Sequence, residues 1–291
     1  MDWPFGWSEA TWRLVVFAAI FLTMAGWELV APRRQLSYGR GRRWPTNWGI
    51  VLLNTALVRV LFPAAAVGVA VFAETRGWGL LPMLGWPRWI DGIVGFLVLD
   101  FAVWLMHVIA HKWPLLWRVH KMHHADPDID VSTAIRFHPV EIVVSMAWKS
   151  AFVIALGIPP EAVLIFEMVL SGGAMFNHSN VRLPLGLDRL IRPLVVTPDM
   201  HRVHHSVHRR ETDSNYGFNL AVWDRLFGTY IAQPQDGHEG MTIGLSEYQS
   251  AEPTGILWCL GLPFRGGLTG LFSRRDSESD ERDGGSSAGN G

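Results

Sequence analysis

Three histidine strings carry the chemistry open to this chain: HVIAH (107–111), HKMHH (120–124) and HRVHH (201–205). Residues three and four apart on a helix share a face. His107 and His111 therefore project together, as do His120, His123 and His124 and, separately, His201, His204 and His205. With His138 and His178, ten of the twelve histidines lie between positions 107 and 205. One metal ion takes about four to six ligands, so the count fits two ions better than one. Structural zinc is usually four-coordinate and rich in cysteine, whereas Cys259 stands alone here. A pair of redox-active irons, each with an open position, is the better use of so many neutral ligands, and oxygen activation is the chemistry such a pair makes possible.

The elements that must position these side chains belong to a membrane protein. Of 291 residues, 49% are hydrophobic and only 18% charged, with 15 Trp. That is more apolar than an ordinary soluble domain. Crossing a hydrocarbon core takes about 20 helical residues, and apolar runs of that order occur at 14–31, 48–72 and 90–109. Two shorter runs, 142–157 and 162–176, are separated only by IPPE (158–161) and predict a helical hairpin. The opening residues have no basic region, so the first run reads as an uncleaved span. A single cysteine excludes an intrachain disulfide framework, and a net charge of −1 gives no sign of nucleic acid as a partner.

The connection after the first run carries Arg33, Arg34, Arg40, Arg42 and Arg43, against Arg76 and Arg88 between the second and third. By the positive-inside rule the former is cytosolic and the N-terminus outside. Counting crossings then brings His107 and His111, His138, His178 and the 201–205 cluster to one cytosolic face. Local punctuation agrees. Pro114 can open a helix bearing His120 that Asp126 and Pro127 close, and Thr197 with Pro198 can cap one bearing His201. His138 precedes Pro139 and should be extended, with Glu141 in the next helix's first turn. His208 and His238 read as ordinary surface or packing histidines.

Several polar residues qualify as supports for ligands rather than ligands themselves. Asp100 shares a helical stripe with Trp104, His107 and His111; it is expected either to support them or to pair with Arg59 of the second run. Glu167 shares one with Ser171, Ala174 and His178. Glu141, Asn177, Asp199 and Asp224 are further candidates. Gly172 and Gly173 read as permitting close helix packing, and the tryptophans of 78–89 as an interfacial belt.

In order, HVIAH, HKMHH, FHPVE (137–141), NHSN (177–180), TPDMHRVHHS (197–206), NYG (215–217) and WDRLFGT (223–229) resemble the fatty acid hydroxylase, or sterol desaturase, superfamily over residues 90–232. The resemblance implies an integral-membrane di-iron enzyme that uses O2 and two external electrons to hydroxylate or desaturate a lipid. Its ligand histidines map onto His107, His111, His120, His123, His124, His201, His204 and His205, with His138 and His178 as further ligands.

The expected fold is an all-α bundle of four to five transmembrane helices with a cytosolic helical cap holding the di-metal site. Residues 1–89 supply the first helices and basic connection, 90–232 the catalytic domain, 233–272 an extension and 273–291 a disordered tail. No phosphate-binding loop, dinucleotide fingerprint or haem-attachment motif is present, so nicotinamide, flavin and haem are not expected and electrons must come from a separate protein. The lack of a retention signal at the C-terminus favours a bacterial inner membrane. Two rivals stand beside this reading. One is carotenoid oxidation or ether-lipid cleavage at the same site, and the other a non-catalytic metal-binding or metal-transporting protein. Transport calls for ligands spread along a crossing path, which the clustering on one face disfavours.

Overall fold

The computed structural model describes residues 8–265, so the 273–291 segment lies outside the described residues. The fold is all-α, and among the described residues extended pairing is limited to three isolated bridges. Among the described residues, four stretches are long and apolar enough to cross a membrane: Glu9–Val30, Arg40–Met83, Arg88–Lys112 and Pro139–Leu156. They present large apolar side chains outward, with Leu14, Leu22, Leu52, Val60 and Ile93 all more than half exposed. Such a surface suits lipid as solvent, not water.

The first span, α1 (Glu9–Val30), opens on a Ser8 cap that accepts from Thr11 N–H and ends at Ala31. The run expected as one helix over 48–72 begins earlier and is broken. α2 (Arg40–Leu61) takes Arg40, Arg42 and Arg43 into its first turn, and α3 (Ala65–Thr75) follows. The break has a local cause. Pro63 lacks an N–H and pushes Phe62 out of the helical region, to φ −130° and ψ 65°. α4 (Leu80–Met83) is one turn inside the Trp-rich stretch, and α5 (Arg88–Lys112) is the third expected span.

α6 (Pro114–His124) starts at Pro114 as expected and carries the second histidine string. The hairpin forms as α7 (Pro139–Leu156) and α8 (Pro160–His178). Gly157 closes α7 at φ +65°, a conformation other residues rarely adopt. α8 packs against α1, α3 and α5, and the two glycines in it allow this closeness. A Cβ at Gly172 would lie 2.9 Å from Ile20 Cδ1 of α1, and one at Gly173 2.2 Å from Asn219 Oδ1. The core of this half is built from Ala66, Ala70, Leu99, Val153, Ile158, Leu164 and Phe166.

The cap then winds through short helices: α9 (Leu185–Ile191), α10 (Pro198–His204), α11 (Arg209–Thr212), α12 (Val222–Leu226), α13 (Gly237–Gly240) and α14 (Ile256–Gly261). Charged side chains tie it to the spans. Arg43 donates from Nε and Nη2 to both oxygens of Asp126 at 2.7 Å each and from Nη1 to Asp130 at 2.6 Å. Burial alone would raise the Asp126 carboxyl, but the Arg43 guanidinium outweighs it and holds Asp126 below the usual carboxylate range. Glu28, at the end of α1, accepts from Val131 N–H at 2.7 Å and from Asn180 N–H at 2.8 Å. Two segments flanking the histidines are thereby fixed to one helix end.

Candidate metal centre

Four elements bring the histidines together. His107 and His111 sit on the last turns of α5, His120, His123 and His124 on α6, His178 at the end of α8, and His201 and His204 on α10, with His205 as its C-cap. Two features set α10. Pro198 occupies the first turn, and the Thr197 hydroxyl accepts from Met200 N–H. The side chains form two groups. His107, His111, His120, His124 and His204 make the first and His123, His178, His201 and His205 the second, the ligand atoms in each lying within 4.8 Å of one another. All nine residues are buried. The groups adjoin, with the rings of His124 and His205 stacked 4.7 Å apart.

Ring tautomers follow from what each Nδ1 faces. His107 donates from Nδ1 to Tyr216 O at 2.7 Å, His204 to Ser214 O at 2.6 Å, His178 to Ala174 O at 2.8 Å and His123 to Arg136 O at 3.2 Å. His120 Nδ1 donates to Glu141 Oε1 at 2.6 Å. A carbonyl can only accept, so the hydrogen of each neutral ring is on Nδ1 and Nε2 presents a lone pair. Yet His107 Nε2 lies 3.1 Å from Nε2 of His204 and of His120, and His123 Nε2 lies 3.1 Å from Nε2 of His178. Facing lone pairs at that distance repel unless a cation lies between them. Two imidazole nitrogens bound at right angles to one ion stand about 3.0 Å apart, so the donor set fits a metal in each group.

Other atoms in the centre are equally orphaned. Both ring nitrogens of His111, His124 and His205 are shielded from solvent without a hydrogen-bond partner. His111 Nδ1 stands 3.4 Å from Asp213 Oδ1. Burial drives the imidazoles of His123, His124, His201 and His205 well below their ordinary range and takes His204 down to about 3. These rings are neutral at physiological pH, the state a metal requires.

His138 stands in neither group. It caps α7 in the expected extended conformation, accepting from Val140 N–H at Nδ1, while Nε2 faces Leu260 O at 3.3 Å. His208 is bound to Asp236 at 2.6 Å, and His238 stands 3.6 Å from Asp199.

The supporting residues divide. Glu141 holds His120 directly. Asp224 acts one step further out, accepting from Tyr216 N–H at 2.9 Å, Gly217 N–H at 2.8 Å and Trp104 Nε1 at 3.0 Å. It thereby fixes the peptide whose carbonyl holds His107. Asp100 pairs with neither His107 nor Arg59; it accepts from Asn219 Nδ2 at 2.9 Å and Trp223 Nε1 at 2.8 Å. Asn177 donates to Phe218 O at 2.9 Å. Asp199 binds Arg202 and Arg33. Glu167 is removed from the centre, joining Arg13 of α1 at 2.7 Å and Lys149 of α7 at 2.9 Å.

Arg136 is a residue that motif spacing does not single out. Fully buried, it donates to Met122 O at 3.1 Å, Asn47 Oδ1 at 3.0 Å and Pro253 O at 2.8 Å while its own carbonyl holds His123. The available signal was a cation two residues before His138 in a chain with few charges.

The model of the family described as fatty acid hydroxylase matches residues 92–229. Ornithine lipid hydroxylase OlsE of Rhizobium tropici is 32% identical over 181 residues, 62% of this chain and 53% of that protein. Alkylglycerol monooxygenase of Homo sapiens is 32% identical over 157 residues, 53% of this chain and 34% of that protein. Cholesterol 25-hydroxylase-like protein of Danio rerio is 30% identical over 135 residues, 46% of this chain and 52% of that protein. The chain spans between about a third and about half of the length of these relatives. No solved structure matches it.

Proposed function

We propose that this chain, whose residues 92–229 match the fatty acid hydroxylase family, is a membrane-bound di-iron monooxygenase that hydroxylates a lipid. The observation that carries the reading is the set of Nε2 lone pairs facing one another at 3.1 Å, with each Nδ1 already committed to a carbonyl or carboxylate. His107, His111, His120, His124 and His204 would hold one iron, and His123, His178, His201 and His205 the other. Bound there, the irons would supply the activation of O2 needed to insert one oxygen atom into an unactivated C–H bond, with two electrons from a separate protein, two protons from solvent and water as the second product.

The chain's own contribution is positional. Carbonyls of Tyr216, Ser214, Ala174 and Arg136 fix the donating nitrogens, so the lone pairs of His107, His204, His178 and His123 are held in register before metal arrives. Glu141 places a carboxylate on His120 Nδ1 and so fixes the tautomer and orientation of this ligand. Complete burial of the rings keeps bulk water from the reacting centre. The bilayer would deliver the substrate, which we take to be a lipid with an apolar chain or ring, as the relatives' names suggest. We place the histidine-bearing end in the cytosol of a bacterial inner membrane, where a soluble reductant can reach it. A metal transporter is the weaker reading, because the nine imidazoles gather at one end of the spans and, among the described residues, no further ligand group lies along a path across them.

The decisive measurement is metal content per chain on detergent-purified protein, beside a variant with His123→Ala and His204→Ala. About two irons per chain are expected, one for each group, both lost in the variant, together with O2 uptake that depends on lipid and reductant. One zinc per chain, or no metal that anaerobic iron can restore, refutes the proposal.

A further inference from the structure

A second site lies away from the histidines, on the face made by α9, residues 193–195 and α12. Leu185, Leu190, Leu194 and Leu226 are 73%, 75%, 68% and 68% exposed. An apolar patch of this kind marks a place for lipid or a partner, not for water. It runs directly into a membrane span, because the neighbouring Phe227 stacks on Trp104 of α5 with centroids 4.7 Å apart. Beside the leucines opens a cavity of about 320 Å³ walled by Asp188, Arg189, Arg192, Arg225 and Tyr230.

Charge in that cavity is unbalanced, with three guanidiniums against one carboxylate. Asp188 Oδ2 is bound to Arg192 Nη2 at 2.7 Å, and Arg225 lies 3.9 Å from the Tyr230 ring centroid. Arg189 stands exposed at the rim, with no ion pair to it among the described residues. Two wall atoms lack partners. Arg192 is 8% and Asp188 7% exposed, yet Arg192 Nε has no acceptor and Asp188 Oδ1 no donor. A ligand that offers an anionic oxygen and a hydroxyl would satisfy both.

We propose that this face rests in the membrane interface and that the cavity binds the headgroup of an anionic, hydroxyl-bearing phospholipid. The phosphate sits among Arg189, Arg192 and Arg225, the headgroup hydroxyl donates to Asp188, and the acyl chains follow the exposed leucines into the bilayer. Exposed leucines beside arginines are the composition expected of an interfacial helix. The inference stands apart from the oxygenase reading, since it needs neither metal nor turnover.

Native mass spectrometry of the detergent-purified full chain, offered equal amounts of phosphatidylglycerol and phosphatidylcholine of identical acyl composition, tests it. Several-fold preferential retention of phosphatidylglycerol is expected. Arg189→Gln, which removes no hydrogen bond or ion pair among the described residues, should lower that preference, and Arg189→Gln with Arg225→Gln should abolish it. Arg76→Gln, beyond the other end of the spans, should leave it unchanged. Equal retention of the two lipids by the unaltered chain overturns the proposal, as does a preference that survives the double substitution. A melting-temperature rise with inorganic phosphate, without lipid preference, also overturns it by identifying a soluble anion as the occupant.

Discussion

For five of the nine imidazoles the aim is set by one atom behind the ring, and Glu141 is the most exposed of these atoms to test. His120 Nδ1 donates to a carboxylate at 2.6 Å, whereas His111 Nδ1 stands 3.4 Å from Asp213 and His107, His123, His178 and His204 use backbone carbonyls. Glu141→Gln keeps the shape and removes the charge. Loss of such a support typically costs about 10- to 100-fold in metal affinity. A chelator titration should therefore strip metal from the Glu141→Gln protein at correspondingly lower chelator concentration, with the helical circular dichroism unchanged; equal resistance would leave Glu141 without that role. His238 makes a different prediction. Burial lowers its imidazole to about 4, against about 6.5 in an unfolded chain. Above pH 6.5 neither state binds a proton there, so it contributes nothing. As pH falls from about 6.5 towards 4 the unfolded chain takes up a proton that the folded chain refuses, and stability drains away, by up to about 2 kcal/mol at pH 5. His238→Gln should narrow the gap in melting temperature between pH 7.5 and pH 5; an unaltered gap would show that other groups govern acid sensitivity.

At the scale of the elements, the precision of the centre depends on how closely α8 approaches the cap. Gly173 faces Asn219, which in turn holds Asp100 of α5. A methyl group at position 173 must push Asn219 away or force α8 from its neighbours, and overpacking of this kind costs about 1–3 kcal/mol. Gly173→Ala should lower the melting temperature, whereas Gly26→Ala, which meets nothing within 4 Å in α1, should not; equal behaviour of the two would refute tight packing at 173. This contact marks where sequence reasoning stops. The histidine strings and the caps of α6 and α10 were legible because each rests on neighbours within four residues. Asp100 was placed correctly on its stripe, but its partners Asn219 and Trp223 lie more than a hundred residues away, and nothing local announces them. The carbonyls of Tyr216, Ser214 and Arg136 were invisible for another reason: every residue has one. The break at Phe62 was readable from Pro63 and was hidden by the continuous apolar run around it.

For the whole molecule, the assignment to test is which end faces the cytosol. The arginines from which orientation is read are occupied in the folded protein. Arg33 binds Asp199 and Glu239, Arg34 donates to Met241 O, Arg40 binds Glu28, and Arg43 is buried between Asp126 and Asp130. These contacts place the basic segment and the histidine cap at the same end, whichever side that is. Insertion is decided earlier, while the same arginines are still unpaired, so the positive-inside argument retains its force. A folded chain oriented this way has Arg42 and Arg210 inside and Arg76 outside, all three exposed. Cysteines introduced singly at these positions can report it, because the native Cys259 is fully buried and should stay silent. In intact bacterial spheroplasts a membrane-impermeant maleimide should label Arg76→Cys at once and Arg42→Cys and Arg210→Cys only after permeabilisation. The reverse pattern would put the histidine centre outside the cell, out of reach of a cytosolic electron donor, and would remove the reductant on which the proposed hydroxylation depends.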